Sequence, residues 1–193
     1  MGNLLPAGAL GRQLTWNDFT TRQMRAPGPG QSATAAETRV TRVLSPNRFS
    51  FSRAVFLRPP NFKMKQDPDV TIRFETASWV ASWVSASAAT FQASLLGHEQ
   101  GHYDISSLNA ADFFSELQDI NGSAFATAQA GRARVADAIS RLGRTQPIHN
   151  KYDSDTNHGL RPARQALWTA AFASARAPGA TLLSALAAAG LFP

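Results

Sequence analysis

The segment at positions 98 to 102 contains the residue types and spacing that a catalytic metal site needs. It reads His-Glu-Gln-Gly-His. Two imidazoles four residues apart lie on one face of a helix and can bind a single zinc ion, and the glutamate between them is placed to accept a proton from water that the metal activates. Because the chain holds only 4 His, a chance match to this motif would be rare. We therefore predict Zn²⁺ bound by His98 and His102, with Glu99 as the catalytic base.

The residues around the motif predict a long helix over about 90–117. Its apolar residues recur at helical spacing and no proline interrupts them. Gly97 and Gly101 lie inside this helix, where each should cost about 1 kcal/mol relative to alanine. We therefore expect a close approach of another backbone or of substrate at both glycines, with a strand packed near that edge of the histidine face.

A catalytic zinc ion normally has three protein ligands, so the third must be found outside the motif. Glu116 would lie about 21 Å beyond His102 along an unbroken helix, and Asp104 projects about 200° around the helix from His102. Both are therefore excluded, and Asp104 is expected to be a polar residue on another face. The polar segment 149–159 remains, and its composition predicts a loop rich in side chains that can bind metal.

Within this segment His158 is the preferred third ligand, because imidazole is a common zinc ligand and the following Gly159 relaxes the backbone. Asp153 and Asp155 stay open as alternatives. Either could instead cap a helix or accept a hydrogen bond from a ligating imidazole, and for Asp153 this supporting role is favoured. His149 is expected to be exposed to solvent and to play no part.

The two motifs together resemble a bacterial family of unknown function whose members are described as zinc-dependent proteases. The resemblance depends on LLGHEQGHYDI at 95–105, on YDSDTNHG at 152–159, and on Gln165 and Trp168 after them. Weaker similarity at 14–19 and 78–80 extends it over most of 14–170. Tyr103 stands where many relatives have phenylalanine. The resemblance implies a zinc peptidase with a zincin-like fold.

Length and composition limit the class of protein further. A chain of 193 residues can bury one good core, so we predict a single domain over 1–193. With no cysteine, nitrogen and oxygen ligands must bind any zinc. The first twelve residues lack the features of a signal peptide, and the apolar stretch 182–191 is too short to span a bilayer. A cytoplasmic location is the default expectation, and a periplasmic or secreted one would require a leader that has been removed.

The net charge of +6 is unevenly distributed. Residues 1–73 contain 11 Lys or Arg and 4 acidic residues, whereas residues 74–131 contain 6 acidic residues and no Lys or Arg. The predicted metal helix thus lies in an acidic segment, as suits a cation site. Since no nucleic-acid-binding motif accompanies the basic residues, we expect a solvated arginine-rich surface and a peptide or protein substrate as partner. The oligomeric state is not predicted.

The remaining pattern predicts an α+β fold. Residues 20–37, rich in proline and glycine, predict a mobile loop. Strands are predicted at 39–43, 49–51, 55–57 and 70–74, and further helices at 123–142 and 165–175. Strands followed by helices favour a small antiparallel or mixed sheet beside the metal-binding helix, with the 70–74 strand nearest to it and later helices on the C-terminal side. The tryptophans Trp79, Trp83 and Trp168 are expected in the core.

The predicted function is that of a metallopeptidase, a hydrolase in which Glu99 is the general base for attack of water on a peptide carbonyl. Tyr152 is a candidate to stabilise the oxyanion. The alternative is a zinc-containing binding or structural module without turnover.

Overall fold

The computed structural model describes residues 9–28, 34–44, 49–54, 61–142 and 144–192. The strands are β1 (Thr20–Arg22), β2 (Ala36–Glu37), β3 (Val40–Leu44), β4 (Phe51–Ala54), β5 (Asn61–Met64), β6 (Val70–Phe74) and β7 (Trp79–Ala81). The helices are α1 (Ala89–Gly122), α2 (Ala128–Leu142), α3 (Thr145–Thr156), α4 (Pro162–Ala175) and α5 (Leu182–Ala188). The fold is therefore mixed α+β, as predicted.

The strands form small sheets in the first half of the chain. β3 pairs with β6 in antiparallel register, with Val40 opposite Phe74 and Leu44 opposite Val70. β4 pairs with β5, and β7 lies between β1 and β2. The predicted strands at 39–43 and 70–74 are confirmed, and β6 packs on α1. The strand predicted at 49–51 begins two residues late, at Phe51, and the one at 55–57 falls outside the described residues.

The prediction of a mobile loop over 20–37 is wrong at both ends. Residues 20–22 pair in parallel with β7, and residues 36–37 pair with it in antiparallel register. Segments of two or three residues are too short to show an alternating pattern, and what orders them is hydrogen bonding to a strand more than forty residues away.

The 34-residue helix α1 connects the two halves of the core. Phe113, Phe114 and Leu117 belong to a cluster with residues of the strands and α2, whereas Ile105 and Leu108 pack with residues of α3, α4 and α5. A helix covered on several sides needs no single apolar stripe. The predicted helix over 90–117 is confirmed and extends to Gly122.

The later helices were predicted only in part. α2 begins at Ala128 rather than 123, and α4 begins at Pro162, whose fixed backbone angle suits the first turn of a helix. Trp79 and Trp168 are buried as predicted, whereas Trp83 is only partly buried. In the part of the chain that the structure describes, no helix combines the length and the apolar character needed to cross a membrane.

Candidate metal centre

His98 and His102 lie on the same face of α1, one turn apart. Their Nε2 atoms are 3.2 Å apart and their ring centroids 4.8 Å apart. His98 is 1% exposed, so its ring is withdrawn from solvent. The spacing of the motif has thus produced the convergence of the two imidazoles that the sequence predicts.

Asp153, from the segment after residue 144, completes this group. Residues 145–156 form α3 rather than a loop, and α3 packs against α1. The carboxylate of Asp153 projects from α3 to the two imidazoles. Its Oδ1 is 2.9 Å from His102 Nε2 and 3.1 Å from His98 Nε2.

These three atoms form a triangle of the size that a zinc ion requires. Zinc bonds of about 2.0 to 2.1 Å in tetrahedral geometry place neighbouring ligand atoms about 3.3 Å apart. The observed edges are 3.2 Å between His98 and His102 Nε2, 3.1 Å from His98 Nε2 to Asp153 Oδ1, and 2.9 Å from His102 Nε2 to Asp153 Oδ1. Two nitrogen donors and one carboxylate oxygen also form a donor set that zinc accepts.

A chain of hydrogen bonds fixes the tautomer of His98. The Thr156 hydroxyl donates to the Tyr152 carbonyl oxygen at 2.7 Å and lies 3.1 Å from His98 Nδ1. Because its single proton is already used, the hydroxyl accepts a hydrogen bond from His98 Nδ1–H. This tautomer leaves the His98 Nε2 lone pair available for a metal ion, whose positive charge would also offset that of the nearby Asp153 carboxylate.

His149 supports His102 from the opposite side. The two Nδ1 atoms are 2.9 Å apart and the rings are stacked at 5.1 Å. A donation from His102 Nδ1–H to His149 would leave His102 Nε2 free to bind metal. The prediction that His149 is exposed to solvent is therefore wrong, because α3 turns its ring toward His102.

His158 flanks the group from the solvent side. It follows α3 in a left-handed conformation, with φ of 53°, and its side chain is 71% exposed. Its Nδ1 lies 3.6 Å from Asp153 Oδ1, and donor atoms of His98, Asp153 and His158 all lie within 4.8 Å of one another. The predicted ligand is thus at the site, but farther from its centre than Asp153.

Glu99 lies within this arrangement with a free acceptor. The residue is 3% exposed, and its Oε2 has no hydrogen-bond partner among the described residues. A buried carboxylate oxygen without a partner costs free energy, so such groups cluster at functional sites. Glu99 is also among the residues that line the cleft described below.

Tyr152 is buried beneath the two imidazoles, an arrangement that argues against the predicted oxyanion role. Its hydroxyl donates to the His98 carbonyl oxygen at 3.1 Å and accepts from the amide of Gln165. The residue is 0% exposed, and burial raises its pKa well above the usual value. Its ring stacks on His98 at 4.8 Å with an interplanar angle of 6°. Tyr152 therefore positions His98.

The two motif glycines differ. A Cβ on Gly101 would collide with the Tyr152 ring and hydroxyl, whereas a Cβ on Gly97 would meet nothing within 4 Å. Gly101 does have a close neighbour, but it is the Tyr152 side chain of α3 and not the predicted backbone or substrate. At Gly97 the described residues bring no other backbone close, and the predicted approach of substrate stays a prediction.

The other carboxylates considered from the sequence lie elsewhere. Glu116 pairs with Arg134 and Arg141 at the far end of the continuous helix α1. Asp104 is bound by Gln100 and Arg176, as suits a residue on another face. Asp155 accepts from Trp168 Nε1 at 3.1 Å and pairs with Lys151 and Arg164, so it connects α3 to α4. Asp155 is therefore excluded as the third ligand.

The charge states of the group suit metal binding. Burial lowers the pKa of His98, an effect that its hydrogen bond with Asp153 partly offsets. Burial, with the nearby His102, lowers the pKa of His149 to about 3. For Asp153 burial alone would raise the pKa, but the hydrogen bonds with His102 and His98 lower it below its ordinary value. Neutral His98 and charged Asp153 at pH 7 are the forms that bind a divalent cation.

These groups open into a cleft of about 400 Å³. It is lined by Thr34, Ala36, Glu37, Thr38, Val40, Arg42, His98, Glu99, His102, Ser106, Thr145, Gln146, His149, Asp153 and His158. One wall is β2, which lies at an edge of its sheet. The cleft is large enough for a segment of peptide and places the metal donors at its wall.

No family model matches this chain, and no curated protein or solved structure is significantly similar to it. The resemblance to a family of zinc-dependent proteases therefore stays a prediction, and the site's geometry must support any functional conclusion.

Proposed function

We propose that the protein is a zinc-dependent metallopeptidase. The observation that supports this proposal is the triangle of His98 Nε2, His102 Nε2 and Asp153 Oδ1, with edges of 2.9 to 3.2 Å. Glu99 lines the same cleft, and its buried Oε2 has no hydrogen-bond partner among the described residues. A metal-binding triad next to an available base in an open cleft is the arrangement that metal-assisted hydrolysis requires.

In this proposal Asp153 is preferred over His158 as the third ligand. Asp153 is anchored on α3 and touches both helical imidazoles, whereas the His158 ring is mostly exposed. A catalytic zinc site keeps one coordination position open. His158 borders that side, where it can donate a hydrogen bond to the carbonyl oxygen of a bound peptide. This role replaces the one predicted for Tyr152.

A zinc ion in this triad would polarise the peptide carbonyl and lower the pKa of water. The remaining steps belong to the protein's own side chains. The Glu99 carboxylate accepts the proton of the attacking water and passes it to the leaving amine. Thr156 and His149 hold the two imidazoles in the tautomer that the site needs. The wall formed by β2 can orient an extended peptide by main-chain hydrogen bonds.

We include a zincin-like fold in the proposal. The motif helix α1 lies beside small sheets, with α3 supplying the third ligand from the C-terminal half. The alternative is a zinc-containing structural or binding module, and the position of His158 beside Asp153 favours it. A rotation of the His158 side chain would bring a fourth protein donor to the ion, and zinc sites closed by four protein ligands are structural.

Glu99→Gln separates the two functions. We expect the variant to retain bound zinc, measured by elemental analysis, while hydrolysis of casein falls at least about a hundredfold, the usual scale of general-base catalysis. Glu37→Gln is the matched control, because Glu37 also lines the cleft but is bound by Arg39 and Trp79. Undiminished hydrolysis by Glu99→Gln would contradict the role of Glu99. Zinc binding by the wild-type protein without hydrolysis would favour the structural module.

A further inference from the structure

The helices α1 and α3 run antiparallel beside the metal centre. Near the end of α3 Thr156 contacts His98. Two turns earlier on α3, His149 contacts His102, which follows His98 by one turn on α1. Positions farther along α1 therefore face positions nearer the start of α3. The cleft extends in this direction, because residues at the start of α3 are among those that line it.

Ser106 and Thr145 occupy matching positions on the two helices. Ser106 follows His102 by four residues on α1, and Thr145 precedes His149 by the same interval on α3. Each thus lies one turn, or about 6 Å along its helix, from the paired imidazoles. Both residues line the cleft, although they are only 6% and 4% exposed. Two nearly buried hydroxyls therefore lie on the walls of the cleft close to the metal centre.

Neither hydroxyl proton has an acceptor among the described residues. Thr145 Oγ1 accepts a hydrogen bond from Arg42 Nη2 at 3.2 Å, which occupies a lone pair and leaves the Thr145 proton unused. The Ser106 hydroxyl has no hydrogen-bond partner in the described part of the chain. In contrast, the adjacent Ser107 donates to the Asp104 carbonyl oxygen at 3.1 Å. Because a buried hydroxyl without a partner costs free energy, this pair favours a ligand that brings an acceptor.

The charges around the pair favour a neutral acceptor over a carboxylate. Among the described residues that line the cleft, the carboxylates are Glu37, Glu99 and Asp153, and the guanidinium is that of Arg42. With a divalent zinc ion bound these charges balance, so a substrate carboxylate would lose its hydration without gaining a counter-charge. A side-chain amide is neutral. Its carbonyl oxygen can accept from both hydroxyls, and its NH₂ group can donate to the Ser106 oxygen.

We propose that Ser106 and Thr145 form a subsite that selects a substrate residue with a side-chain amide, asparagine or glutamine, close to the scissile bond. This inference rests on the proposed function, since it places that bond at the metal centre. An extended peptide advances about 3.3 to 3.6 Å per residue, so a distance of about 6 Å places the selected residue less than two residues from the bond. The two hydroxyls thus determine specificity without binding the metal.

Binding to zinc-loaded Glu99→Gln protein measures this preference without turnover. The probes are alanine peptides, blocked at both ends, in which one internal residue is glutamine, methionine or glutamate. These three side chains have similar lengths, and the alanines let each peptide bind in the register that places its probe residue in the subsite. We expect the glutamine peptide to bind about tenfold more tightly than the methionine peptide, the scale of one or two net hydrogen bonds. It should also bind more tightly than the glutamate peptide.

Variants of the two hydroxyls make the test specific. Ser106→Ala alone should reduce the preference for glutamine, and Ser106→Ala combined with Thr145→Val should abolish it while zinc stays bound. Thr145→Ser keeps a hydroxyl and should keep the preference. Ser107→Ala is the matched control, because it removes a hydroxyl at the adjacent position that is bonded within α1. The control should bind the three peptides as the parent protein does.

Three results would overturn the inference. They are equal binding of the glutamine and methionine peptides by the parent protein, tighter binding of the glutamate peptide than of the glutamine peptide, and an unchanged preference in the double variant. Casein hydrolysis by the wild type tests the proposed function separately. Hydrolysis of casein without a preference for glutamine would remove the subsite and leave the metallopeptidase proposal standing.

Discussion

Asp153 Oδ1 lies 2.9 Å from His102 Nε2, although the two residues belong to different helices. This contact joins α3 to the face of α1 that carries His98 and His102, and it is the reason that Asp153 is proposed as the third ligand. The Asp153 carboxylate and the His102 ring nitrogen therefore both lie close to the His98 ring. A divalent cation bound among them would stabilise this arrangement.

If Asp153 is the third ligand, Asp153→Ala and His158→Ala should lose different amounts of zinc affinity. Asp153→Ala should reduce bound zinc well below one ion per chain, as should His98→Ala or His102→Ala, because each removes one of three anchored donors. His158→Ala should weaken zinc binding about tenfold at most, the lower end of outer-shell effects. Competition with a chelator measures the zinc affinity of each variant. Loss of zinc in His158→Ala with retention in Asp153→Ala would restore the assignment made from the sequence.

The hydrogen bond between His149 and His102 predicts a second effect on metal affinity. His149→Ala removes the acceptor for His102 Nδ1–H, and we expect zinc affinity to fall by about 10- to 100-fold. His149→Gln offers a carbonyl oxygen and should recover part of this loss. Gln146→Ala serves as control, because Gln146 lines the same cleft on α3 but is exposed and bonds Asn150. If His149→Ala binds zinc as tightly as that control, the hydrogen bond has no supporting role.

The contrast between Gly101 and Gly97 predicts opposite changes in stability. Gly97→Ala should raise the free energy of unfolding by up to about 1 kcal/mol, because alanine favours a helix and nothing crowds the new Cβ. Gly101→Ala should lower it by about 1 to 3 kcal/mol, since the Cβ would displace the buried Tyr152. Urea denaturation of both variants without metal measures the difference. Equal stabilisation of the two would show that α3 does not pack on Gly101 as described.

The sequence predicted α1 and the convergence of His98 and His102 well, because an apolar pattern without proline and the spacing of two histidines are local signals. It failed on α3, whose polar composition resembles that of a loop. Helical spacing was present all the same: Ile148, Tyr152 and Thr156 recur every four residues and are buried, while Asp153 follows His149 by the same interval. This second spacing places Asp153 and His149 on the face of α3 toward α1. The pairing of β1 and β2 with β7 depends on distant partners and left no local signal.

Asp112 predicts how stability depends on pH outside the metal site. Burial raises its pKa to about 6, against an opposing hydrogen bond from the Leu182 backbone amide at 2.8 Å. Because the folded state holds this proton more tightly than the unfolded chain, the stabilisation is complete below about pH 4 and is lost as the pH rises toward 6. At pH 7 the folded protein carries the cost of a buried charge. Asp112→Asn keeps an acceptor for Leu182 and removes that cost.

We expect Asp112→Asn to be more stable than the wild type at pH 7 by about 1 to 2 kcal/mol, a value reduced from the full shift because the carboxyl is partly exposed to solvent. The gain should shrink as the pH falls from 6 to 4, where the wild-type carboxyl is itself protonated in the folded state. Thermal unfolding across this pH range, without metal, gives the difference. Asp119→Asn, on the exposed surface of the same helix, controls for the loss of one negative charge. A gain in Asp112→Asn that is no larger than in this control, or that does not change with pH, would contradict the raised pKa of Asp112.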